Sequence, residues 1–331
     1  MNPFLNLLAI PFPSWLKPEI IPGLPVRWYG LMYIVAFGIA YILYRRQVRE
    51  RNFPIKEDEL QLLFFWSILS LVIGARVFAA LVYETSDIYI MQPWLIFWPF
   101  RNGRFVGLQG MSYHGGAIGG AAAFLIYSRI KKWDIREIAD MWAPAIPLGY
   151  TFGRLGNFIN AELYGRVTTM PWGMIFPNAE LVNGVNLPRH PSQLYEAFFE
   201  GIVMFAILWF LRNRKPFKGF LFGFYMVLYG FFRFCIEYFR EPDRDLGYRI
   251  ELLPNDQPIA LVHPLTSFST GQILSFGMIV VGVAVIILMS RLPGREVIRV
   301  YSDTGGKPVT QEEKAAEAKQ KRKLRKSLKK R

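Results

Sequence analysis

Long apolar runs separated by short basic connections constrain the fold of this chain more than any other feature of its sequence. About 20 consecutive apolar residues form a helix long enough to span the hydrocarbon core of a bilayer. Runs of about that length occur at roughly 25–44, 60–83, 111–128, 139–160, 193–211, 219–239 and 271–290. With 52% hydrophobic residues, the chain is predicted to be an all-α polytopic membrane protein with seven transmembrane helices.

The alternation of positive charge predicts how these helices are oriented, because Lys and Arg are enriched in cytoplasmic connections. Of the 39 Lys and Arg residues, 27 lie in the connections 45–59, 129–137 and 212–218 and in the tail from Arg291. These segments are predicted to be cytoplasmic, and the N-terminus is predicted to lie outside. The predicted parts are an N-terminal interfacial segment (1–24), a transmembrane domain (25–291) with a small extracytoplasmic head (about 161–190), and a basic cytoplasmic tail (292–331).

The net charge of +14 does not indicate a nucleic-acid partner, because half of it is carried by the tail from Asp303 onward. A basic tail beside a membrane helix contacts anionic lipid and marks the cytoplasmic side. The single cysteine, Cys235, excludes an internal disulfide, and its place in an apolar run predicts a small core residue. No spacing typical of a metal site occurs, and we predict neither a metal nor a cofactor.

The stretch 149–165 lies in a run otherwise suited to lipid, yet it contains Arg154, Asn157 and Glu162. A charged side chain near the bilayer centre costs about 3 kcal/mol or more, so such residues usually face a protein interior or a wet cavity. A guanidinium beside an amide suits an oxyanion, and most naturally a phosphate. The alternative is a set of helix-packing glycines with an arginine that reaches back to the lipid headgroups.

The predicted orientation brings polar side chains of five helices to one depth in the outer leaflet. They are Tyr29, Arg76, His114 and Arg154, followed by Tyr229, Arg233 and Glu237 on the sixth helix. Together with Arg240, the last three recur at helical spacing and form one polar stripe on an apolar helix. The alternative for the stripe is an isolated Arg233–Glu237 ion pair that satisfies both charges.

Two arginines at one depth, with a histidine nearby, suit a phospholipid headgroup. Arg154 and Arg233 are candidates for holding a phosphate and stabilising its charge as it leaves. A histidine side chain is able to accept a proton near neutral pH, which makes His114 a candidate base. The alternative for His114 is a hydrogen bond within the cap of its helix, and for His190, which precedes Pro191, a structural role is favoured.

Five sequence blocks resemble those of prolipoprotein diacylglyceryl transferases, in the same order. They are WYGLMY (28–33), GMSYHGG (110–116), GRLGNFINAELYG (153–165), RHPSQLYE (189–196) and YGFFRFCIEYFR (229–240). The resemblance covers roughly 25–291 and leaves out the first 24 residues and the tail. It implies an enzyme of the bacterial inner membrane that moves the diacylglyceryl group of phosphatidylglycerol to a thiol. That thiol belongs to the lipobox cysteine in the signal peptide of a prolipoprotein; a thioether forms and glycerol 1-phosphate leaves.

The resemblance also implies roles for individual residues. Arg154 matches the arginine that binds phosphatidylglycerol, His114 a histidine regarded as essential, and Arg233 an arginine at the site. Other functional positions of the family match Tyr29, Asn157, Glu162, Gly165 and Glu237.

Three other functions fit part of this pattern. A transporter or flippase for an anionic lipid headgroup also places arginines around a broken helix, but it is typically built from inverted repeats, and none is visible. An alcohol phosphatidyltransferase typically needs aspartate-bound metal, and no spaced aspartate cluster occurs. A receptor or scaffold leaves the convergence of five helices unexplained.

Overall fold

The structure is a computed structural model that describes residues 9–21, 27–83, 88–101, 103–105, 110–241, 248–251 and 267–292. Its α-helices are α1 (Trp28–Glu50), α2 (Glu57–Phe78), α3 (Ile88–Met91), α4 (Tyr113–Ile130), α5 (Ile135–Trp142), α6 (Ile146–Ile159), α7 (Ser192–Glu196), α8 (Met204–Leu211), α9 (Phe220–Glu237) and α10 (Thr270–Arg291). A π-helical turn, Ala79–Tyr83, continues α2, and another, Ala197–Val203, joins α7 to α8. A short 3-10 helix covers Pro93–Ile96.

Three pairs of short strands complete the described structure. They are β1 (Ile10–Pro11), β2 (Phe100–Arg101), β3 (Arg104–Phe105), β4 (Met174–Ile175), β5 (Tyr248–Glu251) and β6 (Ser267–Ser269). The β1–β4 pair is parallel, whereas β2–β3 and β5–β6 are antiparallel. The first pair ties residues near the N-terminus to the segment that was predicted to form the head.

Five described helices are long and apolar enough to cross a membrane, which confirms a polytopic helical protein. They are Trp28–Glu50, Glu57–Tyr83, Ser192–Leu211, Phe220–Glu237 and Thr270–Arg291. The third and fourth predicted spans correspond to α4, which is rich in glycine, and to α5 with α6, which are separated by a break at 143–145. A total of seven spans therefore stays a prediction.

Glycines allow α2 and α4 to pack with their backbones in contact. A Cβ atom at Gly119 would collide with the carbonyl oxygen of Ser70, and one at Gly74 would collide with that of Gly115. In lipid, where the hydrophobic effect does not drive helices together, small residues gain stability by letting backbones approach closely. The glycine-rich segment of α4 thus packs closely against α2.

Substitution of Gly119 by valine is expected to destabilise the protein by roughly 1–3 kcal/mol, because the added carbons overlap the α2 backbone. The matched control is Gly38→Ala in α1, where an added Cβ atom has no neighbour within 4 Å. The thermal unfolding midpoint of the detergent-solubilised protein checks this. A Gly119→Val protein as stable as Gly38→Ala would show that the close approach of α2 and α4 does not contribute to stability.

A buried ion network joins α1 and α5 to the connection before α9. Glu137 lies 2.8 Å from Arg51 and 2.6 Å from Lys215, and Lys215 lies 2.9 Å from Asp140. Asp140 also accepts a hydrogen bond of 2.8 Å from the Gly219 backbone N–H, where the chain enters α9. Removing one partner of such a buried network is strongly destabilising, so the network fixes how α9 starts beside α5.

Cys235 is a correction to the sequence analysis, which placed it in the core. It is exposed on the surface of α9. A helix face that contacts lipid is as apolar as one that contacts protein, so an apolar neighbourhood does not distinguish the two. The tail beyond Leu292, predicted to be cytoplasmic, lies outside the described residues.

Candidate active site

Arg154 on α6 and Arg233 on α9 meet at the carboxylate of Glu196, the last residue of α7. The Arg154 Nε atom lies 2.7 Å from Glu196 Oε2, and Arg233 NH1 lies 3.3 Å from the same oxygen. The Glu196 side chain is fully buried. Two guanidiniums from separate helices therefore converge on a single oxyanion inside the helix bundle.

The polar stripe of α9 belongs to the same cluster. Arg240 lies 2.7 Å from Glu196 Oε1, and Glu237 lies 3.1 Å from Arg233 and 3.4 Å from Arg240. Ser269, the N-cap of α10, donates a 3.1 Å hydrogen bond to Glu237. The Arg233–Glu237 ion pair is therefore present, but it is not isolated, because both residues also contact other charged residues of the cluster.

Tyr150 and Glu200 extend the cluster towards α8. The Tyr150 hydroxyl accepts a 2.7 Å hydrogen bond from Arg154 Nε, lies 3.1 Å from Glu196 Oε2 and donates to Glu200. Its ring packs edge-on against Tyr229, with 6.1 Å between the ring centroids. Glu200 lies in the π-helical turn after α7, a kind of irregularity that is frequent at functional sites.

Asn157 and Glu162 continue the hydrogen-bond network from Arg154, and Tyr29 packs against α6 beside it. Arg154 donates to Asn157 Oδ1 at 3.4 Å, and Asn157 donates in turn to Glu162 at 2.8 Å. A Cβ atom at Gly156 would lie 3.1 Å from the Tyr29 ring, so that glycine lets α1 approach α6 closely. Asn157 and Glu162 thus orient the arginine, and Tyr29 lies where α1 meets α6.

Gly165 holds the backbone of the region after α6 against the end of α9. Its N–H donates to the His190 carbonyl at 2.8 Å, and a Cβ atom there would collide with the Phe239 carbonyl oxygen. His190 is fully buried, and its Nδ1 atom lies 3.0 Å from the Tyr195 hydroxyl. These contacts agree with a structural role for His190.

His114 and Arg76 have contacts on the α2 side of the molecule. The His114 Nδ1 atom lies 3.0 Å from the hydroxyl of Tyr83. Arg76 is buried and donates to the Ile96 carbonyl at 2.5 Å and to the Gly110 carbonyl at 3.2 Å. Arg76 thus holds the loop before α4 in place, which sequence position alone did not indicate.

Glu196, Tyr150 and Glu200 are site residues that the sequence did not predict. Glu196 lies within the RHPSQLYE block, and Glu200 follows it at i+4 in an apolar run. Acidic residues within such runs usually face a polar interior, so their presence was the available signal. What the sequence could not indicate is that Glu196 would contact arginines of both α6 and α9.

The arrangement is suited to holding an anion between helices. Arg233 NH1 is buried and, among the described residues, makes no hydrogen bond of good geometry beyond its ion pair with Glu196. An incoming oxyanion is able to accept hydrogen bonds from both guanidiniums in place of that carboxylate. In a site that excludes water, such donors also stabilise negative charge that develops during a reaction. Among the described residues, no group of side chains is suited to hold a metal ion.

Comparison with known proteins identifies the family of this chain. The family model of prolipoprotein diacylglyceryl transferase matches residues 18–288. The chain belongs to this family. A Treponema denticola phosphatidylglycerol–prolipoprotein diacylglyceryl transferase is 49% identical over 322 residues, which cover 86% of this chain and 95% of the relative.

Two further members of the prolipoprotein diacylglyceryl transferase family bear the same name. The Treponema pallidum protein is 47% identical over 88% of this chain and 99% of its own length. The Chlorobaculum tepidum protein is 45% identical over 83% of this chain and 90% of its own length. The family match includes every residue of the arginine cluster.

Proposed function

We propose that this chain transfers the diacylglyceryl group of phosphatidylglycerol to the lipobox cysteine of a prolipoprotein signal peptide, the first step of lipoprotein lipidation. The observation that carries the proposal is the meeting of Arg154 and Arg233 on one buried carboxylate oxygen. The phosphate of the lipid takes the position of that oxygen. Membership of the family supports the choice of both substrates.

The reaction is a displacement at carbon. The cysteine thiol loses its proton, and the thiolate sulfur attacks the glycerol carbon that bears the phosphate ester. The carbon–oxygen bond breaks with its electron pair on oxygen, and glycerol 1-phosphate leaves. Arg154 and Arg233 stabilise the negative charge of the departing phosphate. The nucleophile belongs to the substrate, so no cysteine or cofactor of the enzyme takes part.

The surrounding residues support the two arginines. Asn157 and Glu162 orient Arg154, and Glu237 orients Arg233. Tyr29 and Tyr229 border the bound lipid, each from a different helix. Gly165 keeps the backbone of the head close to α9.

The proposed topology places the site toward the outer leaflet of the bacterial inner membrane. It has seven transmembrane helices, with α4 and the broken pair α5–α6 completing the five long spans. The N-terminus is extracytoplasmic and the basic tail is cytoplasmic, because Lys and Arg are enriched on that side. Residues 1–24, 25–291 and 292–331 form the interfacial segment, the catalytic domain and the tail, and the head covers about 161–190.

His114 is proposed to accept the thiol proton, and its substitution by glutamine is expected to lower kcat about 100-fold, within the usual contribution of a general base. A Tyr83→Phe protein keeps the imidazole and loses the hydroxyl that lies 3.0 Å from it. Its pH profile is expected to keep the wild-type shape. A His114→Gln protein with normal turnover and an unchanged pH profile would remove His114 from the mechanism.

The direct test incubates purified protein with phosphatidylglycerol and a synthetic lipobox peptide. The mass of the peptide is then expected to rise by that of a diacylglyceryl group, with glycerol 1-phosphate released in equal amount. A peptide whose cysteine is replaced by serine is the control and is expected to keep its mass. Unchanged mass of the cysteine peptide, with protein that still binds the lipid, would contradict the proposed reaction.

A further inference from the structure

A cavity lies at the far end of the helical segment that runs from Glu196 through α8. It has a volume of about 600 Å³ and is formed by the end of α8 and the connection that follows, including Phe205, Trp209, Phe210, Arg212 and Arg214. About 14 residues separate Glu196 from Phe210, which at ~1.5 Å per residue places the cavity roughly 20 Å along the helix axis. It is therefore separate from the arginine cluster and lies near the opposite membrane surface.

Arginines and aromatic rings are stacked at this cavity. The Arg212 guanidinium carbon lies 4.1 Å from the centroid of the Trp209 ring, and that of Arg46, on α1, lies 5.5 Å from it. Arg214 lies 4.1 Å from the centroid of Phe210. Aromatic rings at the membrane surface mark the depth of the lipid headgroups, so the arginines lie at headgroup level.

The charges at the cavity are not balanced. Glu50 pairs with Arg46 at 2.7 Å and with Arg212 at 3.2 Å, so one carboxylate serves two arginines. Arg214 is exposed and makes no ion pair with any residue that the structure describes. The nearby Lys215 is neutralised by its pairs with Glu137 and Asp140. The cavity thus keeps a net positive charge and favours an anion.

The apolar part of the cavity indicates that the anion carries acyl chains. Phe210 is 61% exposed, and it continues the lipid-facing side of α8 directly up to the arginines. A soluble anion would leave this surface uncovered, whereas a phospholipid covers it with its chains. Basic pockets between transmembrane helices on the cytoplasmic side recognise anionic headgroups in this manner.

We propose that this cavity, lined by Trp209, Phe210, Arg212 and Arg214 and with Arg46 beside the Trp209 ring, is a second lipid site that binds the phosphate of an anionic glycerophospholipid. Arg46 and Arg214 contact the phosphate, and Arg212, held by Glu50, forms a fixed wall. The acyl chains lie along α8. The site does not depend on the proposed reaction; only its leaflet, the cytoplasmic one, follows from the proposed orientation.

The test uses a phosphatidylglycerol with a photoreactive diazirine near its glycerol, in phosphatidylcholine nanodiscs that contain the full chain. Peptide mass spectrometry then measures labelling of residues 205–214. Labelling is expected to fall when unlabelled phosphatidylglycerol is added, and to persist with added phosphatidylcholine or inorganic phosphate. Equal labelling by a diazirine phosphatidylcholine, or equal competition by inorganic phosphate, would overturn the proposal.

The variant R46Q/R214Q is expected to lower this labelling by about tenfold or more, because each arginine near a membrane surface adds attraction for anionic lipid. The control R45Q/R49Q removes the same charge from arginines that pair with Glu57, and it is expected to change labelling less than about twofold. An equal loss of labelling in both variants would show that the lipid is attracted by general surface charge and not by this cavity. The single variant R214Q leaves the ion pairs of Glu50 in place. If the double variant does not fold, a loss of labelling in R214Q supports the proposal and unchanged labelling contradicts it.

Discussion

Replacing Arg154 or Arg233 by alanine is expected to lower the rate of diacylglyceryl transfer about 100- to 1,000-fold, the usual effect of losing one preorganised donor to developing negative charge. Each guanidinium forms an ion pair with the same Glu196 oxygen. In the proposed reaction, each binds the leaving phosphate instead. Lysine at either position is expected to retain part of the rate, because an ammonium keeps the charge but loses the planar set of donors.

The measurement is transfer of radiolabelled lipid to a lipobox peptide under single-turnover conditions. Arg45→Ala is the matched control, since Arg45 is an arginine on α1 whose ion pair with Glu57 is only partly buried. That variant is expected to transfer at the wild-type rate. Near-normal rates for Arg154→Ala and Arg233→Ala would contradict the assignment of the site.

Substitution of Glu196 by glutamine is expected to destabilise the lipid-free protein by roughly 3 kcal/mol, because it leaves buried charges without their partner. Arg154, Arg233 and Arg240 all pair with this carboxylate, which is fully buried. A bound phosphatidylglycerol phosphate replaces the missing negative charge. The lipid is therefore expected to restore more stability to the variant than it adds to the wild-type protein.

The thermal unfolding midpoint in detergent, with and without phosphatidylglycerol, checks this expectation. The matched control is Glu57→Gln, which removes a carboxylate that also serves two arginines but is 42% exposed. Because exposed pairs contribute little, that change is expected to lower the unfolding midpoint much less than Glu196→Gln does. Equal restoration of Glu196→Gln by phosphatidylcholine would show that the phosphate does not replace the carboxylate.

Much of the fold could be predicted because a bilayer leaves few choices for a chain. Backbone N–H and C=O groups in hydrocarbon must form their hydrogen bonds within helices, so a long apolar run itself indicates a helix. Helices α1, α2, α9 and α10 were predictable in this way, since each corresponds to one of the long apolar runs. The exposed position of Cys235 was not, because lipid and a protein interior are equally apolar surroundings for a helix face.

The sequence by itself determined that the chain is a polytopic membrane protein, that Arg154 and Arg233 lie in apolar helices, and that its blocks match a family. Only the tertiary structure decided which carboxylate joins those arginines. Glu196 is 42 residues after Arg154 and 37 before Arg233, and no periodicity relates positions so far apart. Contacts between helices depend on packing angles set by distant glycines and ion networks, so the meeting of three helices at one oxygen exists only in the folded chain.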